Sequence, residues 1–436
     1  ALRTANFGSD PARRLAELRE AVPRGPLCNM EFWVGWFDAW GAIAGKSYRA
    51  PEDVAQTLRE TLSAGASVNF FVFHGGTSFG FCGPGANLSA TGQYEPQVTS
   101  YDYGGLLDEA GEVTDKYRRC REVLAEFLGR PELLERQFPK APRLPASPPL
   151  DLEASLSLDA ALPTLVASVP AVTSSLPLPA EQLGCGYGYV LYRAAVPMCT
   201  NLPLRLGQEA VRDFASVMAN GQVLGTVYRN ETNPGAREFQ LPEEPVGGRD
   251  STKDVRKDCN VEILVELMGR VNFGPGMLGE RKGLVGPSSV QLGSAFTGPP
   301  RAVQGWSCQP LPMAAEELAR LPWGIGQGPE ARRGRWRRGP RFFLFALYVS
   351  RPADGFLVLE GFRKGFACVN GFNLGRYWEV GPQLSLYVPG PLLRRGRNEV
   401  LVFDIDSPGG AVPAPRVVPE AVWASGALPR GAREAA

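Results

Sequence analysis

One carboxylate, Glu31, lies inside the short apolar run Leu27 to Phe32, and Trp33, Trp36, Phe37 and Trp40 follow at once. Burying a carboxylate beside so many rings is costly unless it reacts or is firmly hydrogen-bonded. Aromatic faces pack on the C–H face of a pyranose, and a carboxylate can attack the anomeric carbon. The combination therefore suits a sugar site. The same residues also fit a tryptophan-rich core strand with a paired glutamate. Trp33 and Trp36 are the rings available to face a sugar, with core packing the expected role of at least one.

Two further stretches carry reactive side chains. Val98 to Gly104 groups Tyr101, Asp102 and Tyr103, and a phenol beside a carboxylate can hydrogen-bond it and hold its charge and orientation. Gly76-Thr77-Ser78-Phe79-Gly80 fits the nucleophile elbow of a serine esterase, with His74-Gly75-Gly76 mimicking an oxyanion motif. Such an enzyme needs a histidine after the serine. The one histidine, His74, precedes Ser78, so this rival is remote. Gly274 to Gly279 matches a lone G-x-G-x-x-G, but Pro275 and the lack of a following helical pattern make it a loop. The eight cysteines include no C-x-x-C pair, and neither a metal constellation nor a cofactor motif is visible. Asn87-Leu88-Ser89 and Asn230-Glu231-Thr232 are acceptor sequons for N-glycosylation.

Stepwise strand and helix patterns position the acidic stretch. Arg13 to Ala21 reads as a short amphipathic helix, and Leu27 to Phe32 as a buried strand. Pro51 suits a first helical position, with Val54, Leu58 and Leu62 recurring and Gly65 ending the helix. Ser67 to Phe73 is the next strand. Thr114 caps a further helix with Tyr117, Cys120, Val123, Leu124 and Phe127 on one face, stopped at Gly129. This order predicts an α/β class with parallel strands over 1–130, too short for a complete eightfold barrel of at least about 200 residues.

The remainder changes character. Residues 131–183, dense in Pro, Leu, Ala and Ser, read as a linker contributing at most one edge strand. From Gly184 the pattern is β-rich, and Asn220-Gly221-Gln222-Val223-Leu224-Gly225 recurs as Asn370-Gly371-Phe372-Asn373-Leu374-Gly375. Asn-Gly between β-like runs signals a two-residue hairpin, so the echo predicts two β-sandwiches of one architecture, over 184–300 and 341–424. Residues 301–340 read as an insertion, its Arg332 to Arg338 patch as a solvated loop, and 425–436 as a frayed tail. A net charge of +1 gives no electrostatic reason to expect nucleic acid. No run of about 18 apolar residues marks a membrane span, and no basic-then-apolar leader opens the sequence.

The run Glu31-Phe32-Trp33-Val34-Gly35-Trp36-Phe37-Asp38-Ala39-Trp40-Gly41 resembles the nucleophile signature of the family 35 glycoside hydrolases, the β-galactosidases, and among them the animal β-galactosidase-1-like proteins. Phe70 to Asn87, Val98 to Tyr117 and blocks towards the C-terminus continue the likeness to about Asp406. The resemblance implies the last strands of a (β/α)8 barrel, six to eight, followed by two jelly-roll domains, the second galactose-binding-like. It makes Glu31 the nucleophile and Tyr103 a contact to galactose, with Tyr101 and Asp102 in support and Trp36 a sugar-facing ring. Gly104 stands where the family usually has Asp, a departure expected to loosen that loop. The family's acid/base residue is the Glu of an Asn-Glu pair on an earlier strand. Here the two Asn-Glu pairs, Asn230-Glu231 and Asn398-Glu399, fall in the sandwiches, so the chain alone is expected to be inactive on β-galactosides. A non-catalytic carbohydrate-binding or interaction protein is the alternative. Lysosomal or secreted placement rests on the resemblance, and open strand edges are expected to need a partner, a homo-oligomer being one form.

Overall fold

Three short parallel strands, β1 (Ala5–Phe7), β2 (Leu27–Trp33) and β3 (Ala66–Phe71), form a sheet in that order. The computed structural model describes residues 2–42, 48–138, 140–167, 169–197, 202–242, 258–293, 299–324, 336–410 and 413–424. Helix α1 (Pro11–Ala21) connects β1 to β2 and buries Leu15 and Leu18, while α2 (Pro51–Ser63) connects β2 to β3 and buries Val54, Leu58 and Leu62. Both begin on proline, whose fixed φ suits the first turn. Helix α3 (Asp115–Leu128) starts where the Thr114 hydroxyl accepts the Tyr117 N–H and ends at Gly129, whose φ of 64° permits the left-handed cap. Cys120 and Val123 of α3 join Val54 and Leu58 over the rings of β2 and β3. Phe127 departs from the expected face and is exposed, because the helix runs past the edge of this small core.

Beyond α3 the described residues build four antiparallel sheets of three or more strands. A six-stranded sheet runs in the order Gln222–Tyr228, Phe214–Ala219, Asp258–Leu267, Gly188–Pro197, Trp306–Leu311, Val172–Ser174. It packs on a four-stranded sheet centred on Leu204–Leu206 and Val290–Leu292, with Val217, Ile263 and Leu206 among the shared core. A five-stranded sheet repeats the plan: Phe372–Trp378, Lys364–Val369, Gly396–Ser407, Gly339–Val349, Asp151–Ser157. Its partner is the three-stranded sheet Ser385–Val388, Gly355–Val358, Arg416–Val418. The repeated hairpins match in detail. Asn220 and Gly221, like Asn370 and Gly371, both have positive φ, as a type I′ turn requires. Each hairpin then carries a register shift on the same side, skipping Leu224 in one and Leu374 in the other.

The two large sheets also face each other. Tyr189, Phe214 and Leu264 of the first meet Phe366, Leu401 and Phe403 of the second, with Trp40, Phe81 and Tyr94 filling in from the N-terminal part. Covered on both faces, such strands read as continuous apolar runs rather than alternating ones. The stretch expected as a linker is more structured than its composition suggests. Asp151–Ser157 and Val172–Ser174 edge both large sheets, and the helix Leu158–Leu165 buries Leu158, Ala161, Leu162 and Leu165 between them. The segment read as an insertion likewise supplies Trp306–Leu311 to the first sandwich. Of the basic patch, Arg332 to Arg335 lie outside the described residues, as do the 425–436 tail and Cys199. Arg338 is not merely solvated but pairs through Nε and Nη2 with Asp406 at 2.7 and 2.8 Å.

Asp404 at the centre of the second sandwich is wholly buried. Burial, reinforced by the Asp406 carboxylate, pushes its carboxyl up to about 7, against the N–H groups of Arg363 and Asp406 that favour the anion. A carboxyl raised on folding adds stability that is complete below its unfolded value near 3.8 and is lost as pH rises through about 7. Urea midpoints should therefore fall between pH 5 and pH 8 by the equivalent of roughly 2 kcal/mol. Asp404→Asn should flatten this dependence, and an unchanged slope in that variant would refute the assignment.

Candidate functional site

Glu31 projects from a break in the ladder of β2. Asn29 pairs with Val68 and Phe32 with Phe70, so Met30 and Glu31 face the single residue Asn69. On the other side the β1 register shifts between Ala5 and Asn6, with Asn6 opposite Glu31. Such a bulge bends the strand and re-aims a side chain. The Asn69 side-chain amide holds it, donating to the Met30 carbonyl at 3.0 Å. The Glu31 carboxylate is half-buried, and its Oε2 accepts the Trp33 indole N–H at 3.0 Å.

Rings enclose this carboxylate. Trp36 meets Trp33 edge-on at 5.9 Å and Tyr103 at 5.8 Å, and Tyr103 also packs on Tyr101 at 5.4 Å and Phe71 at 5.6 Å. Burial and the Glu31 charge both push the Tyr101 and Tyr103 phenols above their ordinary range. Both therefore stay protonated donors near the carboxylate. The Tyr103 hydroxyl is buried without a hydrogen-bond partner among the described residues, whereas Trp36 is 39% exposed.

Tyr103 and Gly104 each have φ of 62°, a tight left-handed turn. Asp102 ties it, Oδ1 accepting the Gly104 N–H at 2.9 Å and Oδ2 the Glu109 N–H at 3.0 Å. Lys116, on the first turn of α3 and 3% exposed, donates to Gly104 O at 2.7 Å and to Val34 O at 2.8 Å. It thus straps the tyrosine loop to the segment leaving β2. At Gly104, the position expected to loosen the loop, a Cβ would lie 2.9 Å from Lys116 Nζ, so the missing side chain makes room for the strap. Gly35 and Gly75 allow equally close approach, since a Cβ on either would overlap the carbonyl oxygen of Tyr103 or Tyr101.

The esterase elbow is not assembled. No helix follows Ser78, whose N–H donates to Thr99 O, and the His74 Nε2 lies 3.2 Å from the Glu109 carbonyl oxygen. Gly274 to Gly279 forms a single 3-10 turn, Pro275–Met277, rather than the start of a nucleotide-binding helix. Of the sequons, Asn87 lies half-buried on Gly85–Leu88, while the Asn230 amide donates to Tyr94 O and accepts from Tyr94 N. A glycan on Asn230 would have to displace that pairing. Asn398 is fully buried, its Oδ1 accepting the Asn370 side chain and Arg394 N, and Glu399 pairs with Arg397. Among the described residues no cluster of three His, Cys, Asp or Glu could hold a metal, no helix is long and apolar enough to cross a membrane, and the seven described cysteines are free.

A carboxylate in a ring-lined strand bulge suits the chemistry of a glycoside hydrolase. Residues 1–127 match the family model of the glycosyl hydrolases family 35, residues 177–312 that of the first all-beta domain of beta-galactosidase, and residues 340–398 that of its galactose-binding domain. Over residues 1–127 the chain is thus similar to family 35. It is 36% identical over 393 residues to a beta-galactosidase of Xanthomonas manihotis, covering 89% of this chain and 58% of that protein. Identity to the human beta-galactosidase-1-like protein 2 is 32%, over 89% and 55% of the two chains. For the human beta-galactosidase the figures are 33%, 92% and 57%. The chain thus spans little more than half the length of these relatives.

Proposed function

We propose that this chain carries the nucleophile side of a retaining β-galactosidase site and that β-galactoside glycans are its ligands. Strands β1 to β3 are read as strands six to eight of a (β/α)8 barrel, with Glu31 near the C-terminal end of its strand, where such barrels hold their chemistry. The observation that carries the reading is Glu31, bulged out of β2, held by Trp33 and enclosed by Trp36, Tyr101 and Tyr103. Glu31 attacks the anomeric carbon, Tyr103 contacts sugar and nucleophile, Tyr101 and Asp102 keep Tyr103 in place, and Trp36 offers its exposed face to the ring.

The second carboxyl of a retaining pair sits about 5–5.5 Å from the first. Both Asn-Glu pairs of this chain fall in the sandwiches, so no general acid protonates a departing alkoxide. Turnover of ordinary galactosides by this chain alone should then be lower by about 10²–10⁴-fold or more. An aryl leaving group that departs as a stable anion needs no such acid. Incubation with 2,4-dinitrophenyl 2-deoxy-2-fluoro-β-galactoside should therefore form a covalent adduct that peptide mapping places on Glu31. An adduct elsewhere, or none, refutes the reading.

The match of residues 340–398 to a galactose-binding domain favours one second reading, a non-catalytic carbohydrate-binding protein. Galactose binding that survives Glu31→Gln, with no adduct in the unsubstituted chain, would select it. A lysosomal or secreted setting fits the animal relatives, with Asn87 the sequon open to glycosylation and Asn230 held by Tyr94. Among the described residues no strand pairs with the outer edges of β1 and β3, and these edges offer backbone groups to a second copy.

A further inference from the structure

We infer that Trp33 is a positioning residue for Glu31: its indole N–H holds Oε2 and leaves Oε1 as the oxygen that bonds to the sugar. The inference rests on the proposed retaining chemistry. Oε2 receives the indole N–H at 3.0 Å, and Oε1 has no hydrogen bond among the described residues. A donor fixed on one oxygen orients the carboxylate plane and biases attack to the other, and it strengthens as the anion is desolvated by a bound ring. An indole N–H also never titrates in the working range, so the hold is the same at any pH.

The indole is itself fixed from several directions. Trp33 pairs with Phe71 of β3, and its carbonyl accepts Arg49 Nη1 at 2.5 Å. Arg49 is anchored in turn on Thr57 Oγ1 of α2 at 3.0 Å. From the β1 side, Gly8 lies so close that a Cβ there would come within 2.7 Å of Trp33 O. The Trp36 ring closes against it edge-on. With its N–H given to Glu31 and Trp36 packed against it, Trp33 is not the sugar platform; Trp36 remains the exposed ring.

In the labelling step a bond forms between Oε1 and C1 and the C1–O aryl bond breaks. The bonding pair leaves with 2,4-dinitrophenolate, and no proton is transferred. Trp33→benzothienylalanine in the full chain replaces the N–H by sulfur while keeping the bicyclic shape. It should slow labelling of Glu31 by about tenfold or more, as expected when a reacting group loses its fixed orientation, with the melting temperature nearly unchanged. Labelling at the unsubstituted rate overturns the inference. A second measurement needs no reaction: the Trp33 indole N–H resonance in a ¹⁵N-labelled chain should move upfield in Glu31→Gln, where a neutral amide replaces the carboxylate. An unmoved resonance overturns the hold itself. Absence of labelling in the unsubstituted chain removes the retaining chemistry and the Oε1 assignment with it, while the resonance still decides whether Trp33 holds Oε2.

Discussion

Glu266→Met should destabilise the chain by about 3–5 kcal/mol, because it strands two buried cations. Glu266 is fully buried on Asp258–Leu267; its Oε2 lies 3.0 Å from Lys364 Nζ and its Oε1 3.0 Å from Arg376 Nε. Lys364 and Arg376, each 1% exposed, both come from the second sandwich. Arg376 also donates to Leu267 O at 2.6 Å and Phe81 O at 2.8 Å, and its own carbonyl accepts Thr99 Oγ1. The first sandwich, the second and the segment carrying the tyrosine loop therefore meet on one ion cluster. Burial lowers the Lys364 ammonium below its usual range even with Glu266 present, so without it the lysine must give up its proton or reach water. The rings of Trp378 and Phe214, 4.3 and 5.2 Å from Nζ, are too weak a substitute. Glu266→Met with Lys364→Met should recover much of the loss, since Arg376 keeps its two carbonyls and the lysine is gone. Urea denaturation of the single and double variants reads both. A single-variant loss under about 1 kcal/mol would mean that water already reaches the cluster.

What was legible in the sequence was whatever depends on near neighbours. The start of α3 at Thr114 and its end at Gly129 follow from local capping. The two Asn-Gly hairpins follow from the positive φ that their turn requires. Glu31 stood out because a carboxylate in an apolar strand has few bland explanations, although the bulge that aims it did not. That bulge depends on Asn69 in the adjacent strand and on the register of β1, neither encoded near residue 31. Nothing in the sequence around Lys116 marks it, yet it reaches two carbonyls, one of them 82 residues back in the chain. The strand Asp151–Ser157 hid for another reason. Ala154, Ser155 and Leu156 are buried in succession because both faces of its sheet are covered, and the alternation that betrays a strand is lost.

Gly35→Ala should slow formation of the galactosyl adduct on Glu31 by about 10²-fold, the scale of effect expected from displacing a reacting group by about 1 Å. Gly35 does not have a positive φ, so alanine is not excluded by its own backbone. What excludes it is contact, because the added methyl would overlap the Tyr103 carbonyl oxygen. The obstacle is main chain in a strained left-handed turn, pinned by Asp102 from within and by Lys116 from α3. Neither segment can yield alone: Lys116 grips Val34 O on one side of the contact and Gly104 O on the other. Relief must therefore come from moving Tyr103 and Trp36 together, and these rings form the wall of the carboxylate chamber. A stability loss of about 1–3 kcal/mol should accompany it, as for other overpacked sites. Gly65→Ala provides the comparison. Gly65 has φ of 74° with nothing within 4 Å of a built Cβ, so that variant bears backbone strain of about 1–2 kcal/mol and touches no site residue. If both glycine variants lose similar stability but only Gly35→Ala loses adduct formation, the close approach of residues 35 and 103 sets the geometry of the site. Equal adduct rates in the two would show instead that the chamber tolerates a shifted Tyr103.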